Sequence, residues 1–505
     1  ANNLIVRTAM VGDGVTGNDA GSATIINTTA NLNTSTLTMG FETIEDFSTW
    51  SIINNNGDTR IWELSTTTPN NGSQALRMRQ SNNGTTNDDW AFTPCIFFET
   101  GETYVLNFSY RARNAGFNES FQVRLTDAVS VSATVNTLLF SNTNFNNTTY
   151  ADQSIEFTVP SSGVYFIAFR SNSASGRRGM HVDDVSLSNK TIYWTGSSST
   201  DWNDVSNWSS IVPTASNDAI IPSSPIGNVF PNISATSEVN NLTIEAGATI
   251  NFASSSAALN VYGNYAGATT FDNGSMIFIG NSPQTITGAN TFHYLEINNI
   301  SGVTISSGSQ NISHELRLES GTLSLNGNML TIESSASGDA RIAPVNAGSI
   351  DGDVTVQRYI DQGATNWRFL ASPITDGDFE QWDDDIITSG FIGSDYPNFG
   401  FVSIYSYQES IPGLFDLGYV PLSNSTQPMN LGEGYIVWSG SSNGTTDPFT
   451  LEVTGTIHTG TFNFPLNYTN SGDSANDGWN LVGNPYACAI DWDSVGWTKT
   501  NIDSA

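Results

Sequence analysis

From Phe41 onward, apolar and polar residues alternate. Tyr104, Leu106, Phe108 and Tyr110 are interleaved with Val105, Asn107, Ser109 and Arg111. Phe121, Val123 and Leu125 are interleaved in the same way with Gln122, Arg124 and Thr126. Ile155, Phe157 and Val159 repeat the pattern, and the Ser161-Ser162-Gly163 turn leads into Val164 to Phe169. A period of two, broken by turn residues about every ten positions, predicts an antiparallel sandwich, and its extent over residues 41–190 suits a jelly roll. Residues 1–40 alternate only weakly (Leu4-Ile5-Val6, Ala23-Thr24-Ile25-Ile26) and read as a β-rich leading segment.

The texture changes over residues 191–355. Trp194, Trp202 and Trp208 lie in a stretch rich in Gly, Ser and Asp, followed by short runs such as Ala258-Leu259-Asn260-Val261, Tyr294-Leu295-Glu296-Ile297 and Glu315-Leu316-Arg317-Leu318. Each run offers two inward apolar residues at i and i+2, then a Gly or Asn corner. Coils this short cannot bury a face alone, so they are expected to stack into a β-solenoid, an irregular one because the spacing varies from roughly 7 to 35 residues, with a plain β-sandwich as the alternative. Residues 356–505 are rich in aromatics (Trp367, Phe401, Tyr405, Tyr435, Trp438, Trp479) and read as strands of a further β-sandwich, incomplete where the chain ends. The predicted fold class is all-β throughout.

Composition narrows function more than fold. Asp and Glu outnumber Lys and Arg 48 to 16, a formal net charge of −32. Such a surface repels phosphate backbones and anionic membranes, so nucleic acid is excluded as a partner and divalent cations are the natural counter-ions. No apolar run is long enough to span a bilayer. The two cysteines, Cys95 and Cys488, fall in different predicted domains and are expected to be buried free thiols.

Catalytic motifs fail on context. Gly12-Asp13-Gly14-Val15-Thr16-Gly17 fits a dinucleotide-binding string, but Asn18-Asp19-Ala20-Gly21-Ser22 follows where a helix is required. Gly440 to Gly444 fits a nucleophile elbow without the strand-to-helix turn. The four histidines, His181, His293, His314 and His458, are scattered and form no zinc motif. No enzyme is expected.

The informative acids lie in the jelly roll, in the last strand His181-Val182-Asp183-Asp184-Val185-Ser186-Leu187. If Met180 and Val182 face the core, alternation sends Asp184 inward. If Val185 and Leu187 do, Asp183 points in, unless a bulge intervenes. An unpaired buried carboxylate costs several kcal/mol, and basic residues are scarce here. A structural Ca²⁺ is the better partner, gathering Glu42, Asp58 and the Asn87-Asp88-Asp89 group with Asp183 and Asp184, against the alternative of acids solvated or hydrogen-bonded at a strand end.

These residues resemble a known family. Phe41-Glu42, Trp50 to Asp58, Trp62, Asn87-Asp88-Asp89-Trp90-Ala91-Phe92-Thr93-Pro94, Val164 to Arg170 and Val182 to Leu187 are similar, in order and spacing, to the cleaved-adhesin (choice-of-anchor J) domain. That resemblance implies a calcium-containing jelly roll of Bacteroidota surface proteins, including the haemagglutinin regions of gingipains. The family's Asp-x-Asp-Gly-Asp loop is here Asn54-Asn55-Asn56-Gly57-Asp58, so fewer charges and weaker calcium binding are implied. The third region, with Asn366 to Pro373 and Gly478 to Pro485, is similar to modules of proteins exported by the type IX secretion system. The resemblance implies passage through that translocon, an extracellular or outer-surface location and O-glycosylation at the Asp-Ser-apolar tripeptides of Ser474, Ser494 and Ser504.

The resulting expectation is a non-enzymatic secreted or cell-surface adhesin or structural protein, with a calcium-stabilised jelly roll and a glycan or host/surface protein as ligand. Trp62, Trp90 and Trp202 are the aromatic candidates for ligand contact, against core filling as their alternative role. Two other readings stand beside it: accessory carbohydrate-binding modules of a longer secreted hydrolase, and a subunit of an extracellular filament.

Overall fold

The computed structural model describes residues 36–82, 84–361, 366–440, 447–494, 496–500 and 502. The leading segment up to residue 35 and Ser504 lie outside the described residues. The fold is all-β, with 43% strand and 3% helix. Two compact units divide the chain: residues 1–102 with 107–186, and residues 103–106 with 187–505.

The first unit is built on twelve strands: β1 (Leu37–Met39), β2 (Ser51–Asn54), β3 (Glu63–Ser65), β4 (Ala75–Met78), β5 (Asp89–Phe92), β6 (Ile96–Phe98), β7 (Tyr104–Ala112), β8 (Glu119–Thr126), β9 (Asn136–Phe145), β10 (Ala151–Phe157), β11 (Gly163–Ser171) and β12 (Met180–Asn189). They form two six-stranded sheets. One runs β10-β7-β12-β4-β3 with β1 on β12, the other β2-β5-β11-β8-β9 with β6 on β11. The alternating residues meet between them: Phe108 lies edge-on to Phe121 and Phe169, with ring centroids 6.0 and 5.5 Å apart. In β12, Met180, Val182, Val185 and Leu187 are all buried. Both apolar phases face inward because Asp184 adopts a left-handed φ of 51°, which shifts the alternation by one residue. Neither acid therefore points into the core, contrary to the alternation expected without a bulge: Asp183 lies on the opposite face, fully buried beneath the segment that begins at Asn70, and Asp184 is half-buried.

In the second unit, residues 219–356 form a β-solenoid of about seven turns. Parallel stacking sets Ala258 beside Ser275, Ser275 beside Tyr294 and Tyr294 beside Glu315. On this face the coils therefore measure 17, 19 and 21 residues. The strands are regular and the corners vary, which explains the irregular spacing in sequence. Each coil inserts its pair: Leu259 and Val261, Met276 and Phe278, Leu295 and Ile297, Leu316 and Leu318 are at most 1% exposed. Buried amides satisfy the corners. Gln310 donates to the Gly288 and Gly308 carbonyls, at 2.6 and 3.0 Å, and accepts from Asn290 at 3.1 Å.

Trp194, Trp202 and Trp208 pack edge-on at the head of the solenoid, with centroids 5.1 and 4.7 Å apart. Asn207, fully buried, fixes their loop by accepting from the Ser198 and Ser199 amides and donating to Ser199 Oγ and the Asp201 carbonyl. At the other end, Val354–Ile360 takes Phe449–Gly455 as an antiparallel partner, so this edge is paired. A four-stranded antiparallel sheet, Asn366–Leu370, Tyr435–Ser439, Ile404–Tyr407 and Tyr419–Pro421, completes the chain's described strands. Its inner residues Tyr435, Val437 and Ile404 join Phe379, Trp382 and Ile386 in one core. No helix of the described residues is long and apolar enough to cross a membrane.

Candidate functional site in the jelly roll

The acids expected to share one metal fall into two groups. Glu42 and Asp183–Asp184 hold the segment 70–74. Glu42 accepts from the Ser73 amide at 2.9 Å, the Ser73 hydroxyl at 2.6 Å and the Gln74 amide at 3.4 Å. These bonds, those from Ser73 foremost, hold its pKa below the usual carboxylate value. Asp183 accepts from the amides of Asn70 and Asp184, and Asp184 accepts from the side-chain amides of Asn70 and Asn71. Burial nonetheless pushes Asp183 up to about 6. Gly72, at φ +62°, makes the grip compact: a Cβ there would lie 2.1 Å from a Glu42 carboxylate oxygen. These three acids clamp backbone amides and side-chain amides of one loop.

Asp58 and Asp89 form the second group. The Asn54 to Asp58 loop is closed on itself: Asn54 Oδ1 accepts from the Gly57 amide, and Asn54 Nδ2 donates to the Asp58 carbonyl. Asp58 in turn accepts from the amides of Arg60 at 2.7 Å and Asn82 at 3.1 Å. Asp89 pairs with Asn54 across β2 and with Ser171 across β11, on the same side of the strand as the buried Ala91. It is 0% exposed, and neither carboxylate oxygen has a hydrogen-bond partner. Burial first, and the charge of Asp58 second, push its pKa up to about 7. Asn87 lies beside it, 1% exposed, and donates to Ser171 Oγ and the Arg79 carbonyl.

Asp88 points to the opposite side. Burial alone would raise its pKa, but hydrogen bonds from Asn55 and Arg170 and the Arg170 charge outweigh burial and hold it low. Arg170 Nε is 2.7 Å away and Trp90 Nε1 3.0 Å away, so this carboxylate already has its cation. Alternation along Asp89-Trp90-Ala91-Phe92 places Asp89 inward and Asp88 outward, so within the expected Asn87-Asp88-Asp89 group it is Asp89 that sequence reasoning should have singled out.

An oxygen-lined cation position is the chemistry this geometry offers. Among the described residues no three His, Cys, Asp or Glu side chains are grouped closely enough to hold a metal. Asp58 and Asp89 are the residues that would meet a cation at this position, with the neutral oxygens of Asn87 and Ser171 beside them. The unpartnered oxygens of Asp89 fit that role.

The expected aromatic contacts are corrected by burial. Trp62 is 1% exposed and donates to the Asp89 carbonyl. Trp90, 3% exposed, stacks on Phe92 at 5.8 Å beneath the Arg170 guanidinium. Trp202 is 0% exposed in the solenoid head. Rings of this size remove more apolar surface from water than any other side chain, and all three are used that way. A cluster of partly exposed rings lies elsewhere: Trp367, Tyr405, Trp438 and Phe401 gather at the last sheet, with Trp367 5.3–5.7 Å from each of the others. Ser474 and Ser494 are exposed. Both thiols are free and half-buried, less enclosed than expected.

Comparison with known proteins adds the following. Residues 281–504 match a family described as a domain of unknown function (DUF8693). No curated protein matches the chain. Among solved structures, the chain is similar to the K1 cleaved adhesin domain of Lys-gingipain from Porphyromonas gingivalis W83, at 18% identity and TM-score 0.25, over 30% of this chain and 96% of that one. The K3 domain of the same protein matches at 18% identity and TM-score 0.23, over 28% and 89%. A family 22 carbohydrate-binding module of Clostridium thermocellum Xyn10B matches at 15% identity and TM-score 0.23, over 28% and 87%.

Proposed function

We propose that this chain is a non-enzymatic protein of the cell exterior, exported through the type IX secretion translocon, that serves as an adhesin or structural element and carries a Ca²⁺-stabilised jelly roll. Asp89 carries the reading: a carboxylate enclosed in the sandwich, with two unpartnered oxygens and a second carboxylate, Asp58, beside it. A hard divalent cation removes the cost of that arrangement, and sites with few charged ligands fall at the weak end of calcium affinity, about 10⁻⁴–10⁻³ M, which suits extracellular calcium. The solenoid is a spacer. Parallel strands stack about 4.8 Å apart, so seven coils amount to a stiff rod of roughly 34 Å. The ligand class is a glycan or a surface protein.

The test is calcium uptake by the full chain, measured by equilibrium dialysis in millimolar Ca²⁺. One ion per chain is expected, lost in Asp89→Asn and retained in Asp88→Asn, whose carboxylate faces Arg170. No uptake, or uptake unchanged in Asp89→Asn, overturns the calcium assignment.

A further inference from the structure

The chain has 16 basic residues against 48 acidic ones, yet four arginines converge on one outer sheet face of the jelly roll. The registers place them. His181 lies opposite Arg77 and Arg77 opposite Glu63. The Arg113 amide donates to the Gly179 carbonyl at 2.9 Å, which aligns Arg113 with Gly179 and Arg111 with His181 on the neighbouring strand. Met180 lies opposite Met78, so Arg79 flanks Gly179 on the other side. Leu76, Met78, Met180, Val182, Phe108 and Tyr110 are the buried neighbours, so alternation turns Arg77, Arg79, Arg111, Arg113 and His181 to the opposite face. With strands about 4.8 Å apart and residues i and i+2 about 6.8 Å apart, the four arginines root at the corners of a rectangle of roughly 10 by 7 Å.

The centre of that rectangle is low. Gly179 has no side chain, and its φ of +95° and the Met78 carbonyl, 2.2 Å from where a Cβ would sit, keep it so. His181 is 1% exposed and neither ring nitrogen has a hydrogen-bond partner. Burial and the nearby Arg111, Arg77 and Arg113 keep this imidazole neutral. Glu63 neutralises one charge by pairing with both Arg77, at 2.8 Å, and Arg79. Arg111 lies over the Tyr150 ring and Arg113 is exposed without an ion pair among the described residues. Four arginines less one glutamate leave three positive charges. Further along the face the sign reverses at Asp152, which Ser109 bonds at 2.6 Å, and at Asp183.

We propose that this arginine rectangle binds the sulfate or carboxylate group of an acidic glycan. Guanidinium forks match such oxyanions bidentately, and four around a low floor formed by Gly179 and the buried His181 ring surround one or two anionic groups. A longer polyanion is disfavoured by the acids that follow on the same face and by the overall charge. The inference rests on the binding role proposed above, but not on its calcium site.

The experiment is titration calorimetry of the full chain with a sulfated heparin-derived tetrasaccharide in low salt. Its desulfated and carboxyl-reduced, hence neutral, counterpart, a uronate tetrasaccharide, inorganic sulfate and a glutamate-rich peptide serve as further arms. Binding of the sulfated or the uronate sugar is expected. Arg111→Gln with Arg113→Gln should weaken it at least 10-fold, and Glu63→Gln, which frees Arg77 and Arg79, should tighten it several-fold. Calcium uptake of each variant, measured in parallel, should be unchanged, which separates failure of this site from failure of the cation site. The proposal is overturned by no binding of either acidic sugar, by equal binding of the neutralised and sulfated sugars, or by a double variant that binds as wild type. Tighter binding of the peptide than of the sugars also overturns it, as does inorganic sulfate binding as tightly as the tetrasaccharide.

Discussion

Asp89 makes the stability of the jelly roll depend on pH in a direction opposite to that of ordinary paired carboxylates. Its pKa rises from the reference 3.8 to about 7 in the fold, through burial and then the Asp58 charge. Between these values the folded chain holds a proton that the unfolded chain releases, so the metal-free protein loses stability as pH rises from about 4 to 7. Three pKa units at about 1.4 kcal/mol each give a loss of about 4 kcal/mol by pH 8, as an upper bound. Asp183, raised to about 6 by burial, adds a loss of the same sign in the same unit. The difference between wild type and Asp89→Asn therefore isolates the Asp89 contribution. Calorimetric melting of the full chain in chelator, from pH 5 to pH 8, should show a falling jelly-roll transition in wild type and a flatter one in Asp89→Asn. Calcium at about 100 times its dissociation constant should restore about 2.7 kcal/mol at pH 8 and much less at pH 5, where Asp89 is protonated. A metal-free wild-type profile parallel to that of Asp89→Asn would refute the reasoning, as would a calcium gain that the variant shares.

Other consequences concern the packing. Gly72→Ala forces an L side chain into the left-handed region and onto the Glu42 carboxylate; a loss of about 2 kcal/mol in thermal melting is expected, and an unchanged melting point would contradict the clamp. Gln310→Leu strips the solenoid corner of its amide and leaves the Gly288 and Gly308 carbonyls and the Asn290 amide short of partners, at a cost of about 2–4 kcal/mol in denaturant unfolding. Trp202→Ala should cost about 3–5 kcal/mol through the cavity it opens, while leaving any glycan binding of the jelly roll unchanged. Loss of glycan binding without loss of stability would return Trp202 to a ligand role.

Alternation along the chain decided which residues are strands and, within each strand, which residues share a face. That was enough for the all-β class, the jelly-roll strands and the paired inward residues of the solenoid coils, because the period-two geometry of an extended backbone is a local property. It was enough, too, to narrow the buried carboxylate of β12 to two neighbours. The left-handed turn at Asp184, which satisfies Val182 and Val185 at once, is the bulge that keeps both acids off the core side, and Asp183 is buried instead by the loop at Asn70 on the opposite face. Aromatic content foretold cores but not which rings would be enclosed, since burial of Trp62, Trp90 and Trp202 depends on what covers them. The separation of Glu42, Asp183 and Asp184 from Asp58 and Asp89, and the meeting of Arg77, Arg79, Arg111 and Arg113, depended on strand order. Sheet neighbours such as β4, β12 and β7 come from distant parts of the chain, and only long-range pairing sets which of their residues stand side by side.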